Sequence, residues 1–201
     1  MLTAADIRAE ARLRVRGAML DAAHELAVER GWGGVRMGAI AARVGVSRQT
    51  LHAEFGTKEA LGEALVLRVT DRFLLGVAEA LEQHGDRLGE AVRAAVTYTL
   101  RGTSSDPLLQ TVLTSTRGAS DETLLPLLTS RGEPLLHRAS DVLGAWVRQK
   151  RPELDPDVVA DVVDSVVRLV VSHAVLLLDP PDVVADRLAR LAERALGERP
   201  A

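Results

Sequence analysis

Residues 36–58 read R-M-G-A-I-A-A-R-V-G-V-S-R-Q-T-L-H-A-E-F-G-T-K, and one glycine divides them into two short helical patterns. Ile40, Ala41 and Val44 form one apolar stripe at helical spacing. Gly45 stops that helix, because glycine enters the left-handed conformation without a Cβ penalty. Val46 plugs the corner, and Ser47 is a good N-cap for a second helix from Arg48 to about Phe55. Ala41, four residues before Gly45, is small enough for the two helices to cross there. Two short helices around a tight glycine turn make a helix-turn-helix.

Leu51 and Phe55, four residues apart, turn inward. Arg48, Gln49, Thr50, His52 and Ala53 are left on the outer side, at the positions that reach base edges in the major groove. Arginine bonds bidentately to guanine, glutamine to adenine, and a threonine methyl touches a thymine methyl. On these residues alone, an ordinary helical domain with a Gly stop and a Ser cap stands equally open.

The flanks carry a family resemblance. Met19-Leu20-Asp21-Ala22-Ala23, Leu26 to Trp32, Ile40 to Ser47, Thr50-Leu51-His52, Phe55 and Lys58-Glu59-Ala60-Leu61 together resemble the N-terminal domain of TetR-type (TetR/AcrR) bacterial transcriptional regulators. The resemblance covers residues 16–62. This chain departs from the family pattern with His52 where tyrosine is usual, with Val35 and Arg36 where Ser or Thr usually opens the second helix, and with Ala27 where an aromatic often follows the leucine of the first helix. The resemblance implies DNA contacts from Arg36, Ser47, Arg48, Gln49, Thr50, His52 and Lys58, with Lys58 on a phosphate.

With 201 residues the chain is long enough for one or two domains and a sizeable core. Aromatics are only 2%, so Leu, Val and Ala must fill that core. Absence of cysteine excludes disulfides and thiolate metal sites and fits a reducing compartment. The N-terminus is charged throughout, unlike a signal peptide. The late apolar run at 169–178 is only ten residues long, where a spanning helix needs about 20. A cytoplasmic protein without membrane attachment is expected. Residues 1–60 hold nine Arg/Lys and seven Asp/Glu, so +2; residues 61–201 hold sixteen and twenty-one, so −5, which together give the net −3. A weakly positive head on an acidic body suits a protein that meets DNA at one end.

The expected fold is all-α, with about nine or ten helices. A three-helix helix-turn-helix domain at 1–57 is joined without a linker to a ligand-binding and dimerisation domain at 58–201. The first helix is expected over 7–30, its early arginines Arg8, Arg12, Arg14 and Arg16 either reaching phosphates or forming a solvated face. A long helix at 58–83 ties head to body. Further helices are expected at 87–101, 107–116, 121–129, 133–150, 156–178 and from about 182 to 196. No alternating strand pattern appears in the sequence.

The helix at 156–178 carries valine and leucine on more than one face, so burial nearly all round is expected, part of it by a second subunit. TetR-type regulators are homodimers built on their last two helices. Val159, Val163, Val166, Val170, Leu188 and Leu191 are the expected interface, with a monomer and a deep central helix as the alternative. The resemblance further implies a two-state switch: a dimeric repressor on a palindromic operator, released by a small, lipophilic effector bound in the leucine-rich body. The polar candidates for that pocket are Tyr98, Arg101, Gln110, Thr111, Thr114, His137 and Trp146.

A catalytic role finds no motif. There is no GxSxG, no Gly-rich phosphate loop, and His24, His52, His84, His137 and His173 share no metal spacing. No cofactor and no metal are expected. An all-α adaptor or membrane-surface protein without DNA binding is the alternative function, although the mixed charges of the last helix lack the basic bias that anionic lipids favour.

Overall fold

The computed structural model describes residues 3–105 and 132–197, with the side chains of 132–135 left out. The described residues form eight helices: α1 (Ala4–Gly34), α2 (Met37–Val44), α3 (Arg48–Phe55), α4 (Lys58–Glu82), α5 (Leu88–Ser105), α6 (Gly132–Lys150), α7 (Pro156–Val175) and α8 (Pro181–Ala195). No strand occurs among the described residues, so the fold is all-α as expected. The short helices expected at 107–116 and 121–129 lie outside them.

Local chemistry sets most of the ends. A reciprocal capping box starts α1: the Thr3 hydroxyl accepts from the Asp6 N–H and the Asp6 carboxylate accepts from the Thr3 N–H. That cap begins the helix three residues earlier than its apolar pattern. Gly31, at φ 69°, breaks α1 before a last turn through Trp32. Gly45 ends α2 in the left-handed region at φ 76°, with its N–H on the Ala41 carbonyl. Asp155 caps α7, with proline in its first turn.

Two further ends differ from expectation. α5 runs on through Gly102 to Ser105, because Gly102 lets the ring of Phe73 approach and the Thr103 hydroxyl donates back to the Thr99 carbonyl. α7 stops at Val175 rather than 178, with Leu176 leaving the helical region at φ −138°.

Two cores result. The head core gathers Met19, Leu20, Ala23, Leu26 and Trp32 of α1, Val35 just after it, Ile40 and Ala41 of α2, Leu51 and Phe55 of α3, and Leu61 and Leu65 of α4. The body core gathers Leu81, the inner faces of α5, α7 and α8, and Trp146 and Val147 of α6. α4 serves both, and at about 1.5 Å per residue its 25 residues make a rod of about 37 Å. Head and body therefore share one rigid element.

Candidate nucleic-acid interface

The turn at Gly45 aims α3. Its N–H bond to Ala41 closes α2, the Val46 N–H also reaches the Ala41 carbonyl, and Ser47 then caps α3 by accepting from the Thr50 N–H at 3.0 Å. Leu51 and Phe55 face the head core, and Ala41 is buried where α2 meets α3. Ser47, Arg48, Gln49, Thr50, His52 and Ala53 are all exposed. The structure thus brings five of the seven sequence-selected positions onto one exposed flank: Ser47, Arg48, Gln49, Thr50 and His52.

Several of these groups already have local tasks. The Ser47 and Thr50 hydroxyls share a 2.8 Å hydrogen bond. His52 Nδ1 lies 2.8 Å from the Gly56 carbonyl. A carbonyl only accepts, so Nδ1 carries the proton and the Nε2 of the neutral ring is an acceptor. In that tautomer Nε2 offers an acceptor, not a donor. The guanidinium of Arg48 lies back over Gly38, where a Cβ would sit 2.5 Å from its Nη2. Gly38 is a position the spacing gave no sign of: its missing side chain is the seat of the arginine at the head of α3.

Arg36 is exposed at the N-cap of α2 and makes no side-chain cap there. Lys58 is only part-exposed. Its Nζ donates to the Trp32 carbonyl at 2.8 Å and lies 5.2 Å from the Trp32 ring centre. It binds the last turn of α1 to the start of α4. Arg43, outside the expected set, pairs with Glu29 and Glu25; the Glu29 hydrogen bond raises its pKa and lowers that of Glu29.

In the body, α4, α5, α6 and α7 enclose a cavity of about 110 Å³. Its walls are aliphatic and aromatic, including Phe73, Leu74, Val96, Leu143 and Val170, with Thr70, Thr99 and Thr103 as the polar exceptions. The hydroxyls of Thr99 and Thr103 donate to carbonyls of their own helix. None of the described candidates chosen by polarity lines it; Tyr98 and Arg101 instead line a second, more open groove with Phe73, Gly76 and Asp182. Tyr98 is exposed on the far side of α5, seated against Gly76 and 5.4 Å from Phe73. Arg101 pairs with both carboxylate oxygens of Asp182. His137 is exposed, and Trp146 is buried in the body core. Gln110, Thr111 and Thr114 lie outside the described residues. An apolar cavity is built from the residues of a core, so its lining is not found by looking for polar side chains.

The expected dimer residues need the same correction. Val159, Val163, Val166, Val170 and Leu188 belong to the subunit's own core, and side chains already covered there have no surface left for a partner. α5, α6 and α8 cover the inner face of α7. The outer side of α7 instead carries Val158 and Leu169, both exposed, on the same face as the half-buried Val162. Of the selected set only Leu191, exposed on α8, remains available.

Residues 19–65 match the family described as bacterial regulatory proteins, tetR family, and residues 88–194 match the bacterial tetracyclin repressor C-terminal domain. The chain belongs to the TetR family of bacterial transcriptional regulators. It is 31% identical over 185 residues to the HTH-type transcriptional regulator AlkX of Mycobacterium tuberculosis, covering 90% of this chain and 84% of that one. It is 40% identical over 81 residues to the transcriptional activator FasR of Mycolicibacterium smegmatis, 36% of that protein. Among solved structures, the TetR family repressor AlkX from Dietzia sp., implicated in biodegradation of n-alkanes, superposes with a TM-score of 0.71 at 27% identity, over 90% of this chain and 96% of that one. As a TetR-family member the chain is a DNA-binding transcriptional regulator. Among the described residues no helix is long and apolar enough to cross a membrane.

Proposed function

We propose that this chain is a repressor that holds a palindromic operator as a homodimer and releases it when an uncharged or weakly polar lipophilic molecule enters the body. One observation carries the reading: the helix that walls the apolar cavity is the helix that carries the DNA-binding head. Thr70, Phe73, Leu74 and Val77 of α4 line the cavity, while Leu61 and Leu65, about one to four turns earlier, pack inside the head core.

The resting volume of about 110 Å³ is well under the ~300–1,000 Å³ of typical ligand sites. A ligand of several carbons enters only if the walls move, and movement of α4 turns both heads of a dimer away from their spacing of ~34–36 Å. The aliphatic lining, and the likeness to a repressor tied to n-alkane biodegradation, favour a linear hydrocarbon chain as the effector. The exposed apolar stripe of α7 together with Leu191 of α8 supplies the second-subunit contact, since an apolar stripe of this kind marks an interaction surface. Arg36, Ser47, Arg48, Gln49, Thr50 and His52 read the operator, and Lys58 steadies the head.

Selection of bound duplexes from random DNA, followed by anisotropy titration with a series of linear aliphatic compounds, tests this. The expected result is a two-fold symmetric site whose affinity falls as chain length grows. Retention of no symmetric duplex sinks the operator reading; a site insensitive to every aliphatic probe sinks the effector reading alone.

A further inference from the structure

The family match begins at Met19, yet α1 begins at Ala4. The first three to four turns of α1 therefore stand ahead of the shared domain, and residues 4–15 are exposed throughout. Their charge is unevenly placed. Arg8, Arg12 and Arg16 follow at four-residue steps and share one face, while Asp6, Glu10 and Arg14 share the opposite face, where Arg14 pairs with Glu10.

The basic face is turned to the recognition helix. Arg12 Nε and Arg16 Nη1 each donate to the Glu54 carboxylate of α3 at 2.9 Å. The Arg16 guanidinium also stands 4.7 Å over the Phe55 ring. Arg12, Val15 and Arg16 form one wall of a surface groove whose other wall is Thr50, Ala53 and Glu54. Arg8 lies one turn beyond Arg12, about 6 Å further along the axis.

Charge balance gives the extension its significance. Residues 18–60 hold five Arg/Lys and five Asp/Glu, so zero; residues 4–17 hold four Arg against Asp6 and Glu10, so +2. All the net positive charge of the head sits on the extension, although neutralised phosphates supply essentially all of the sequence-independent binding to any duplex.

We propose that the basic face of the α1 extension, Arg8 and Arg12 foremost, is a second DNA-contact element that lies against the sugar-phosphate backbone beside the groove α3 enters. Glu54 is the positioning residue: it fixes the extension to α3 so that both meet the duplex as one surface. Arg12 spends Nε on Glu54 and remains mostly exposed, so its remaining N–H groups face a phosphate without breaking the clamp. This rests on the reading of α3 as the recognition helix.

The test is the salt dependence of operator affinity for full-length Arg8→Gln and Arg14→Gln, two arginines on opposite faces whose hydrogen bonds stay within α1. The expected result is that Arg8→Gln lowers the slope of log affinity against log salt by about one, with the ratio of operator to random-sequence affinity kept. Arg14→Gln leaves the slope unchanged. Hydroxyl-radical footprinting should show backbone protection retreating on the flank of each half-site only for Arg8→Gln. Equal slopes for Arg8→Gln and wild type, or equal losses for the two variants, overturn the proposal. Arg48→Ala, measured beside them, separates the two readings: if it too leaves operator binding intact, α3 itself is misassigned.

Discussion

Arg68 of α4 grips Asp21 of α1: its Nη2 lies 2.8 Å from each carboxylate oxygen, and its Nη1 donates to the Gly17 carbonyl at 2.7 Å. Arg72, one turn on, reaches the same carboxylate at 3.0 Å. The pair sits where α4 leaves the head core, so it fixes the angle between the rod and the domain it carries. Arg68→Ala should cost about 1–2 kcal/mol, as loss of hydrogen bonds between charged groups does. Urea unfolding measures that cost, and a double-mutant cycle with Asp21→Ala should return a coupling of similar sign. If the proposed switch is right, the variant also binds operator but responds less to effector, because α4 no longer turns the head.

Arg48→Ala and Gln49→Ala should each lower operator affinity by about 1–3 kcal/mol while melting temperature stays at the wild-type value. Both side chains are exposed and neither fills the core. Gel-shift titration beside a thermal melt checks both halves. Lys58→Ala should behave differently, losing stability as well, since its ammonium holds the Trp32 carbonyl. A Lys58 variant with normal stability but a flatter salt slope would return that residue to a purely phosphate role.

Hydrogen bonds from Arg16, and then from Arg12, hold the Glu54 carboxyl below the usual glutamate range. A depressed folded pKa means stabilisation that is complete above the unfolded value of about 4.3 and is lost as pH falls through the lower folded value. Glu54→Gln should therefore cost about 1 kcal/mol at neutral pH. The difference from wild type should shrink once the pH drops below about 4.3. Thermal melts of the two proteins across that range decide the matter, and a gap independent of pH would show that the carboxylate charge is not the cause.

Leu169→Asp combined with Leu191→Asp should convert the proposed dimer to a folded monomer, since both side chains are exposed in the single subunit. Val166→Asp should instead unfold the body, because it puts an unpaired charge into the core beside α5 and α8. Sedimentation together with circular dichroism distinguishes a helical monomer from an unfolded chain.

The head could be read residue by residue because its decisive features are local. A glycine at a left-handed corner, a serine whose hydroxyl reaches three residues on, and leucines four apart act within one turn of their own position. The valine-rich α7 could not be read that way. Its residues are alike on two faces, and only the placement of α5, α6 and α8 decides which face is covered. The same holds for the cavity, whose walls come from four helices and look in sequence like any other core.

The sequence alone therefore settled the helical class, the helix-turn-helix and the outward flank of α3, since capping and helical spacing are short-range. Tertiary structure decided which valines are inside, that Arg12 and Arg16 converge on Glu54 across 42 and 38 residues, and that one helix walls the cavity and carries the head. Those facts depend on contacts between distant segments, and the hydrophobic effect that brings such segments together is non-directional, so helical spacing shows which face is apolar but not which segment covers it.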